Sequence, residues 1–427
     1  MVSKPSLPYV KRREVELLKT APRWLLVYGR RKTGKTMMVR REVPWDLYVT
    51  VWRGGGGSIE WRRGEVRRIE DRRQIVDTVL KCLREDRCIV VDEFHRLPST
   101  FLDELQAVYP SGKLFLLGSA LHVVRKLVGP RSPLLGLVGE LRISLIRPSD
   151  ILTWVHQRTS AEEAVSLAAY LRDPWLIPLF KPNIDAFYQN VFTYARYAVS
   201  ALIGEIFTEE ERVLARSYET VLRAVARGYT RPTEIASILY RNQLIPRHDP
   251  AYARSYLRIL EQMDLIRCIP DVKRGEYRYS IKSKIMEVFL YIEERYGEEW
   301  GISEGLKAAR QRLPYNVEEF VGDLLAEALE ATYCYASFGP KGEINIVLRQ
   351  LRRPTLAVEV KWGRVRREDI KRAVTLARLL KLPLVLIVRQ TPRYVPTEVT
   401  AVLEPDDLAR IAQEVRRGKR FRIEDLI

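Results

Sequence analysis

Residues 29–36 read Gly-Arg-Arg-Lys-Thr-Gly-Lys-Thr, a spacing of residue types that can bind phosphate. The apolar run Trp24–Tyr28 precedes them, and residues 36–41 can open a helix. This order of strand, loop and helix distinguishes a phosphate-binding loop from a chance match. Gly29 and Gly34 let the main chain wrap closely around phosphate, and the amides that follow lie at a helix N-terminus, which attracts anions.

The loop is predicted to bind a nucleotide and a metal ion. Lys35 is predicted to reach the β- and γ-phosphates in a catalytic role, and the Thr36 hydroxyl to ligate Mg²⁺. The structural alternative is a glycine-rich turn without a ligand, and the intact Lys-Thr pair in this setting argues against it. The residues of this loop predicted to bind the nucleotide are Gly29, Lys32, Thr33, Gly34, Lys35 and Thr36.

Two further apolar segments end in polar side chains that would complete such a site. Residues 88–93 are four apolar residues followed by Asp92 and Glu93, as expected for a buried parallel strand. Asp92 is predicted to hold Mg²⁺ through water, and Glu93 is predicted to polarise the attacking water. Residues 113–120 form the other segment, where Ser119 senses the γ-phosphate, orients the water, or simply belongs to an ordinary turn.

These segments resemble the AAA+/STAND class of P-loop ATPases and, more closely, the archaeal ATPase family. The G-R-R-x-x-G-K-T, D-E-[FY] and G-S-S-like motifs that carry the resemblance stand at residues 29–36, 92–94 and 118–120. The resemblance implies ATP and Mg²⁺ as ligands and ATP hydrolysis as the activity. It also implies a position beside the adenine for Arg12, for which a solvated helix start is the alternative. The family's S-P-L-[YF]-G-R motif lacks its arginine at residues 132–138. Arg125 or Arg131 is either a substitute for that charge or a surface arginine.

The composition predicts a polyanionic partner. Lys and Arg total 72 against 54 Asp and Glu, a formal charge of +18, and this balance favours nucleic acid, here DNA. A heat-adapted, thermophile-type surface would explain many of the charges but not the one-sided excess. The four Cys form no C-x-x-C pair, which argues against a zinc ribbon or a disulfide framework. No signal peptide or membrane-spanning run is recognisable, so we expect a cytoplasmic protein without a membrane partner.

Four successive domains of the α/β class are predicted. Residues 1–150 would form a P-loop αβα sandwich, and residues 151–207 a helical lid with a helix over residues 160–171. Residues 208–300 would form a winged-helix domain, and residues 301–427 a restriction-endonuclease-like α/β domain. The first domain would bind the nucleotide, and the last two would act on DNA.

The winged-helix prediction rests on three helical segments followed by two strands. The helices are expected over residues 209–227, after a turn at residues 230–233 and from Asp249, and the strands over residues 265–269 and 276–281. In such a domain the third helix enters the major groove and the wing touches the DNA backbone. Winged helices are also used for protein packing inside ATPases, and this alternative stays open. The predicted DNA contacts are Arg254, Arg258, Lys273 and Arg274.

The C-terminal residues resemble the PD-(D/E)XK nuclease core in their order of helix, strands, helix and strand. In that resemblance Glu359 and a second-strand Asp bind Mg²⁺, while Lys361, on the same strand face, stabilises the attacking water. The second-strand residue here is Asn345, which lacks the negative charge that a hard cation needs. Glu343, or Glu319 from the helix, would have to compensate. The expected elements are a helix over residues 317–331, strands over 342–348 and 356–363, a helix over 368–380 and a strand over 384–388.

We therefore expect an ATPase that couples its nucleotide state to a DNA-binding winged helix and to a nuclease-like module that binds without cleaving. One rival hypothesis is an active ATP-dependent DNA endonuclease. Another is a STAND-type nucleotide switch that acts on a protein partner. The purely structural alternative for Glu359 and Lys361 is a charged strand end on an ordinary α/β domain.

Overall fold

The computed structural model describes residues 8–119, 132–209, 216–297 and 299–426. Packing divides the chain into two compact units. The N-terminal unit comprises residues 11–145 and 201–213, and the C-terminal unit comprises residues 1–10, 146–200 and 214–427. Among the described helices, none is both long enough and apolar enough to cross a membrane.

The N-terminal unit is built around a seven-stranded sheet in the order β4-β3-β2-β5-β6-β1-β7. Strands β1, β2, β5, β6 and β7 run parallel, whereas β3 and β4 form antiparallel hairpins at one edge. The strands are β1 Trp24–Tyr28, β2 Leu47–Val51, β3 Gly57–Trp61, β4 Val66–Ile69, β5 Cys88–Asp92, β6 Lys113–Gly118 and β7 Gly139–Arg142. The helices are α1 Glu14–Lys19, α2 Lys35–Glu42, α3 Arg72–Arg84 and α4 Phe101–Gln106.

Helices cover both faces of this sheet because its central strands are apolar throughout. Leu25 and Val27 of β1 pack with α1 and α2 on one face, and Trp24 and Leu26 pack with α3 and α4 on the other. Alternate residues of a strand point to opposite faces, so a strand buried on both sides reads as a continuous apolar run. The predicted mixed α/β sandwich with a parallel sheet is confirmed.

The sheet order determines which loops meet. Strand β6 lies between β1 and β5, so the segments that follow these three parallel strands leave the same edge of the sheet. In open parallel sheets this carboxyl edge is where ligands bind. The glycine-rich stretch at residues 54–57 lies between β2 and β3, and Gly57 is the first residue of β3.

The first part of the C-terminal unit is helical and ends in a hairpin. The helix predicted over residues 160–171 is present as Ala161–Leu171, and the Ser160 side chain caps it by accepting a hydrogen bond from the amide of Glu163. Three helices and a two-stranded antiparallel hairpin then follow in the order expected of the predicted winged helix. The first of these helices, predicted over residues 209–227, is helical at Arg216–Ala226; Glu209 ends the preceding helix, and residues 210–215 lie outside the described part of the chain. The elements are α5 Pro148–His156, α6 Ala161–Leu171, α7 Ile184–Tyr194, α8 Arg196–Glu209, α9 Arg216–Ala226, α10 Pro232–Arg241, α11 Pro250–Gln262, β8 Ile266–Pro270 and β9 Tyr277–Ile281. From residue 201 onward, α8 is assigned to the N-terminal unit.

The last part of the chain packs a long helix against a five-stranded sheet in the order β10-β11-β12-β13-β14. The first three strands are antiparallel, and the last three are parallel. The expected helix over residues 317–331 instead begins at Ile302 and ends at Ala328, because Pro314 is accommodated inside it. The elements are α12 Lys284–Tyr296, α13 Ile302–Ala328, β10 Thr332–Ser337, β11 Glu343–Gln350, β12 Arg353–Lys361, α14 Arg367–Leu380, β13 Leu384–Val388, β14 Val399–Leu403 and α15 Pro405–Arg416.

Candidate functional site

The predicted phosphate loop joins β1 to α2 in a conformation that needs glycine at two positions. Gly29 has a φ of 151°, and a Cβ atom there would collide with the carbonyl oxygen of Ile143. Gly34 precedes α2 with a φ of 86°. Lys32 also lies in the left-handed region, with a φ of 62°. The loop therefore turns sharply at three points between the strand and the helix.

The Lys35 side chain is buried inside the curve of this loop. Its ammonium group donates hydrogen bonds to the carbonyl oxygens of Gly29 at 2.8 Å and Arg30 at 2.9 Å. Burial lowers the pKa of Lys35 to about 8, and the nearby carboxylates of Glu93 and Asp92 oppose this shift. Here the cation is paired with neutral main-chain oxygens, so an anion entering the loop would gain a strong, poorly solvated partner.

The two predicted metal ligands are hydrogen-bonded to each other. The Thr36 hydroxyl donates to Asp92 Oδ2 at 2.8 Å, and the Tyr48 hydroxyl donates to the same oxygen, also at 2.8 Å. Carboxylate and hydroxyl oxygens are suitable ligands for Mg²⁺, which usually takes one or two protein carboxylates together with substrate phosphates and water. Thr36 and Asp92 therefore fit the metal that the sequence predicts.

Tyr48 was not identified from the sequence. It lies in β2, is fully buried, and is opposite Val90 of β5 in the sheet register. Burial and the Asp92 carboxylate raise the pKa of Tyr48, so its hydroxyl stays protonated and acts as a donor. A buried tyrosine hydroxyl needs a polar partner, which is the one signal the sequence offered.

Glu93 and Ser119 are brought together at the ends of β5 and β6. Glu93 adopts a left-handed backbone conformation, with φ 59° and ψ 39°, and its carboxylate accepts a hydrogen bond from Ser119 Oγ at 3.0 Å. His95 Nε2 lies 3.6 Å and the Arg96 guanidinium 3.4 Å from the same carboxylate. Non-glycine residues in this conformation are concentrated at functional sites. His95 and Arg96 were not identified from the sequence.

Arg12 is buried beside the loop. It donates to the main-chain oxygens of Thr33 at 3.1 Å and Ser144 at 2.9 Å. Thr33 is itself buried, and its hydroxyl donates to the Arg30 carbonyl oxygen at 2.8 Å. Arg12 and Thr33 therefore stabilise the conformation of the loop by donating hydrogen bonds to main-chain oxygens. Their contacts with nucleotide stay a prediction. Ala120, Arg125 and Arg131 lie outside the described residues.

The predicted nuclease-like residues form a cluster between α13, β11 and β12. Glu359 is 2.6 Å from the Lys361 ammonium group. Asn345 Nδ2 donates to Glu318 Oε2 at 3.1 Å, and burial, followed by the Glu359 carboxylate, raises the pKa of Glu318 to about 7. Glu343 lies at the exposed end of the same strand face. Within the described part of the chain, no group of three or more His, Cys, Asp or Glu side chains is arranged to hold a metal ion.

Glu319 does not belong to this cluster, in contrast to the expectation. Successive helix residues point about 100° apart, so Glu318 faces the strands and Glu319 faces the hairpin. Its carboxylate is 2.7 Å from Arg267, 2.8 Å from Lys284 and 2.6 Å from the Ser280 hydroxyl.

The predicted DNA contacts lie in two places, on helix α11 and at the tip of the β8–β9 hairpin. Arg254 and Arg258 are exposed on α11. Lys273, at the hairpin tip, has its ammonium group 3.7 Å from the centroid of the Phe338 ring. The guanidinium of Arg274 lies beside Gly339. The exposed face of α11 and the tip of the hairpin therefore present basic groups in different surroundings.

Two comparisons with known proteins find no match, and a comparison with solved structures finds similarities at low scores. No protein-family model matches the chain, and no curated protein is significantly similar to it. The Aeropyrum pernix ORC1 protein, solved in complex with DNA, is similar at a TM-score of 0.30 and 14% identity over 69% of this chain and 96% of its own.

Two further structures are similar at the same level. The A. pernix ORC2 protein, solved as ADPNP–ADP complexes, has a TM-score of 0.38 and 14% identity over 74% of this chain and 97% of its own. A Pyrococcus horikoshii STAND protein with a tetratricopeptide repeat sensor has a TM-score of 0.29 and 14% identity over 75% of this chain and 51% of its own. Scores and identities this low do not assign a family or an activity to this chain.

Proposed function

We propose that this protein binds and hydrolyses ATP at the phosphate loop and that its nucleotide state governs binding to duplex DNA. The observation that supports the first part is one hydrogen-bonded arrangement at the carboxyl edge of the sheet. Lys35 lies inside the loop, Thr36 is bonded to Asp92, and Ser119 is bonded to Glu93. These are the groups that phosphoryl transfer needs: a cation for the phosphates, metal ligands and a residue that positions water.

Each side chain has a defined task in this proposal. Lys35 exchanges its bonds to main-chain carbonyls for bonds to phosphate oxygens and so stabilises charge on the transferred group. Thr36 and Asp92 hold Mg²⁺, which supplies charge neutralisation at the phosphates when it is bound. Glu93 accepts a hydrogen bond from the attacking water, and Ser119 keeps its carboxylate oriented. Tyr48, through its bond to Asp92, holds that metal ligand in place.

The DNA part of the proposal rests on charge and on the C-terminal unit. The formal charge of +18 favours a polyanion, and Arg254 and Arg258 present exposed guanidinium groups on the third helix of a three-helix segment. Within the described part of the chain, neither arginine forms an ion pair. Exposed cations of this kind contact phosphate oxygens, and such contacts supply most of the affinity for duplex DNA.

Replacing Lys35 by Ala tests the nucleotide site. We expect Lys35→Ala to lower the rate of phosphate release from ATP by about 100-fold or more, because the transition state loses a buried cationic donor. Phosphate release would be measured under saturating ATP and Mg²⁺. Lys81→Ala, which removes an exposed lysine from α3, is the matched control and should keep the wild-type rate. Wild-type turnover by Lys35→Ala would refute the site assignment.

A further inference from the structure

The β8–β9 hairpin is attached to the C-terminal sheet. The amide of Val272 donates to the carbonyl oxygen of Tyr335 in β10 at 2.9 Å. The Asp271 carboxylate accepts from the amide of Ser337 at 3.3 Å. The hairpin therefore lies along the edge strand of the five-stranded sheet, and its second strand passes next to the cluster between α13, β11 and β12.

One side chain of the hairpin enters that cluster. The Arg278 guanidinium donates to Asn345 Oδ1 at 3.2 Å, to the Asn345 main-chain oxygen at 2.8 Å and to Glu343 Oε1 at 3.4 Å. It also lies over the Tyr335 ring, 4.5 Å from the ring centroid. A planar guanidinium with several bonded partners and an aromatic face is held in one orientation, which a lysine could not reproduce.

Both the oxygen and the nitrogen of the Asn345 side-chain amide are hydrogen-bonded. Its oxygen accepts from Arg278, and its nitrogen donates to the Glu318 carboxylate at 3.1 Å. An aspartate at this position would face Glu318 with a second carboxylate and could not donate to it. The oxygen that would otherwise be offered to a metal ion is occupied by a guanidinium. The amide is thus the side chain that fits between an arginine and a glutamate.

The carboxylates of the cluster lie next to basic side chains. Lys361 is paired with Glu359, which is almost fully buried, and Arg278 adds the positive charge next to Glu318 and Glu343. Buried carboxylates need a cation, which can be a metal or a basic side chain. The cations here come from the chain itself: one from the sheet, one from the hairpin, and Arg231, which lies 3.8 Å from the Glu343 carboxylate.

We infer that the cluster between α13, β11 and β12 is a binding site for the Arg278 side chain, which we call the socket. The guanidinium of Arg278 takes the place of a divalent cation there and attaches the hairpin to the sheet. The socket therefore binds a segment of this same chain and does not bind Mg²⁺ while the hairpin is docked. The contacts of Arg278 are made in the protein without nucleotide, so the role of the socket does not depend on the proposed ATP-dependent function.

Binding of Mn²⁺ to the full-length, nucleotide-free protein tests the socket. All variants carry Thr36→Ala, which removes one of the two predicted metal ligands of the nucleotide site, and free Mn²⁺ is measured by electron paramagnetic resonance. The double variant Arg278→Ala/Asn345→Asp should bind one Mn²⁺ at least about tenfold more tightly than the protein with both residues intact. Asn345→Asp alone should not create the site, because Arg278 would pair with the new carboxylate.

Two results of this experiment would overturn the inference. One is Mn²⁺ binding by the protein with Arg278 and Asn345 intact that disappears with Glu359→Gln. The other is a folded double variant that gains no Mn²⁺ site, which would show that the guanidinium does not occupy a cation position.

Hydrogen exchange gives a second test that does not require the double variant to fold. In Arg278→Lys, amides of residues 266–281 and 332–337 should exchange faster than in the wild-type protein, because the point charge cannot keep the three bonds and the ring contact. Arg241→Lys, at an exposed position at the end of α10, is the matched control and should leave exchange unchanged. Wild-type exchange in Arg278→Lys would show that Arg278 does not fasten the hairpin.

Discussion

Replacing Glu93 by Gln should lower the steady-state rate of ATP hydrolysis by about 100-fold or more while ATP still binds. The amide keeps the size of the side chain and can still bond to Ser119, but it cannot act as a base toward the attacking water. Loss of a positioned general base typically costs 10²–10⁴-fold in rate. Phosphate release and the affinity for ATP would be measured on the same preparation, so that binding and chemistry are separated.

The control for this substitution is Glu70→Gln, which removes one negative charge from an exposed position of the N-terminal unit. It should hydrolyse ATP at the wild-type rate. If Glu93→Gln also hydrolysed ATP at that rate, another residue would have to position the water. His95, 3.6 Å from the Glu93 carboxylate, would then be the first group to examine.

Replacing Arg267 by Ala should lower the free energy of unfolding of the C-terminal unit by about 3–5 kcal/mol. Arg267, in β8, pairs with Glu319 at 2.7 Å and with Asp323, both on α13. Removing the guanidinium leaves the partly buried carboxylates of Glu319 and Asp323 with less positive charge beside them. The free-energy cost of leaving a buried charge without a partner is larger than the net stabilisation that most intact ion pairs provide. The measurement is urea unfolding followed by circular dichroism.

The exposed pair formed by Arg410 and Asp407 provides the contrast. Arg410→Ala should change the free energy of unfolding by less than about 1 kcal/mol, since water already solvates both charges. Equal effects of Arg267→Ala and Arg410→Ala would contradict the view that the pairs around α13 hold the hairpin to this helix.

The effect of Arg267→Ala should also depend on pH. Burial alone would raise the pKa of Asp323, but Arg267 and Arg172 hold it below its usual value. A carboxylate whose pKa is lowered by folding stabilises the protein fully above its unfolded pKa of about 4, and this contribution is lost at lower pH. The difference in stability between wild type and Arg267→Ala should therefore shrink as the pH falls below about 4.

The arrangement proposed to bind nucleotide was largely predictable because each of its parts is local in sequence. The phosphate loop carries its own strand and helix, and Asp92 and Glu93 follow directly after an apolar run. Parallel strands end at a common edge, which is enough to expect these groups together. Tyr48 could not be predicted, because its hydrogen-bond partner Asp92 is 44 residues away in sequence and only the pairing of β2 with β5 brings the two side chains together.

The C-terminal cluster was predicted only in part, for two physical reasons. The helix that carries Glu318 and Glu319 runs through Pro314, a residue that usually ends a helix, so the rotational phase of the helix could not be set from the pattern. Arg278 bonds to Asn345 across 67 residues and between different elements, and no local pattern records such a contact. Glu359 and Lys361 were predictable because they are two residues apart on one strand.

The most direct test of the proposed nucleotide-dependent DNA binding is the affinity for a short DNA duplex in different nucleotide states. Glu93→Gln is expected to bind ATP and hydrolyse it slowly, so the dissociation constant of this variant for duplex can be compared with ATP, with ADP and without nucleotide. We expect these constants to differ by about fivefold or more, the usual size of coupling between two sites. Arg254→Ala/Arg258→Ala should weaken binding in every state and reduce its salt dependence, because two phosphate contacts are lost. Equal affinities in all nucleotide states, or no duplex binding in any of them, would contradict the proposal.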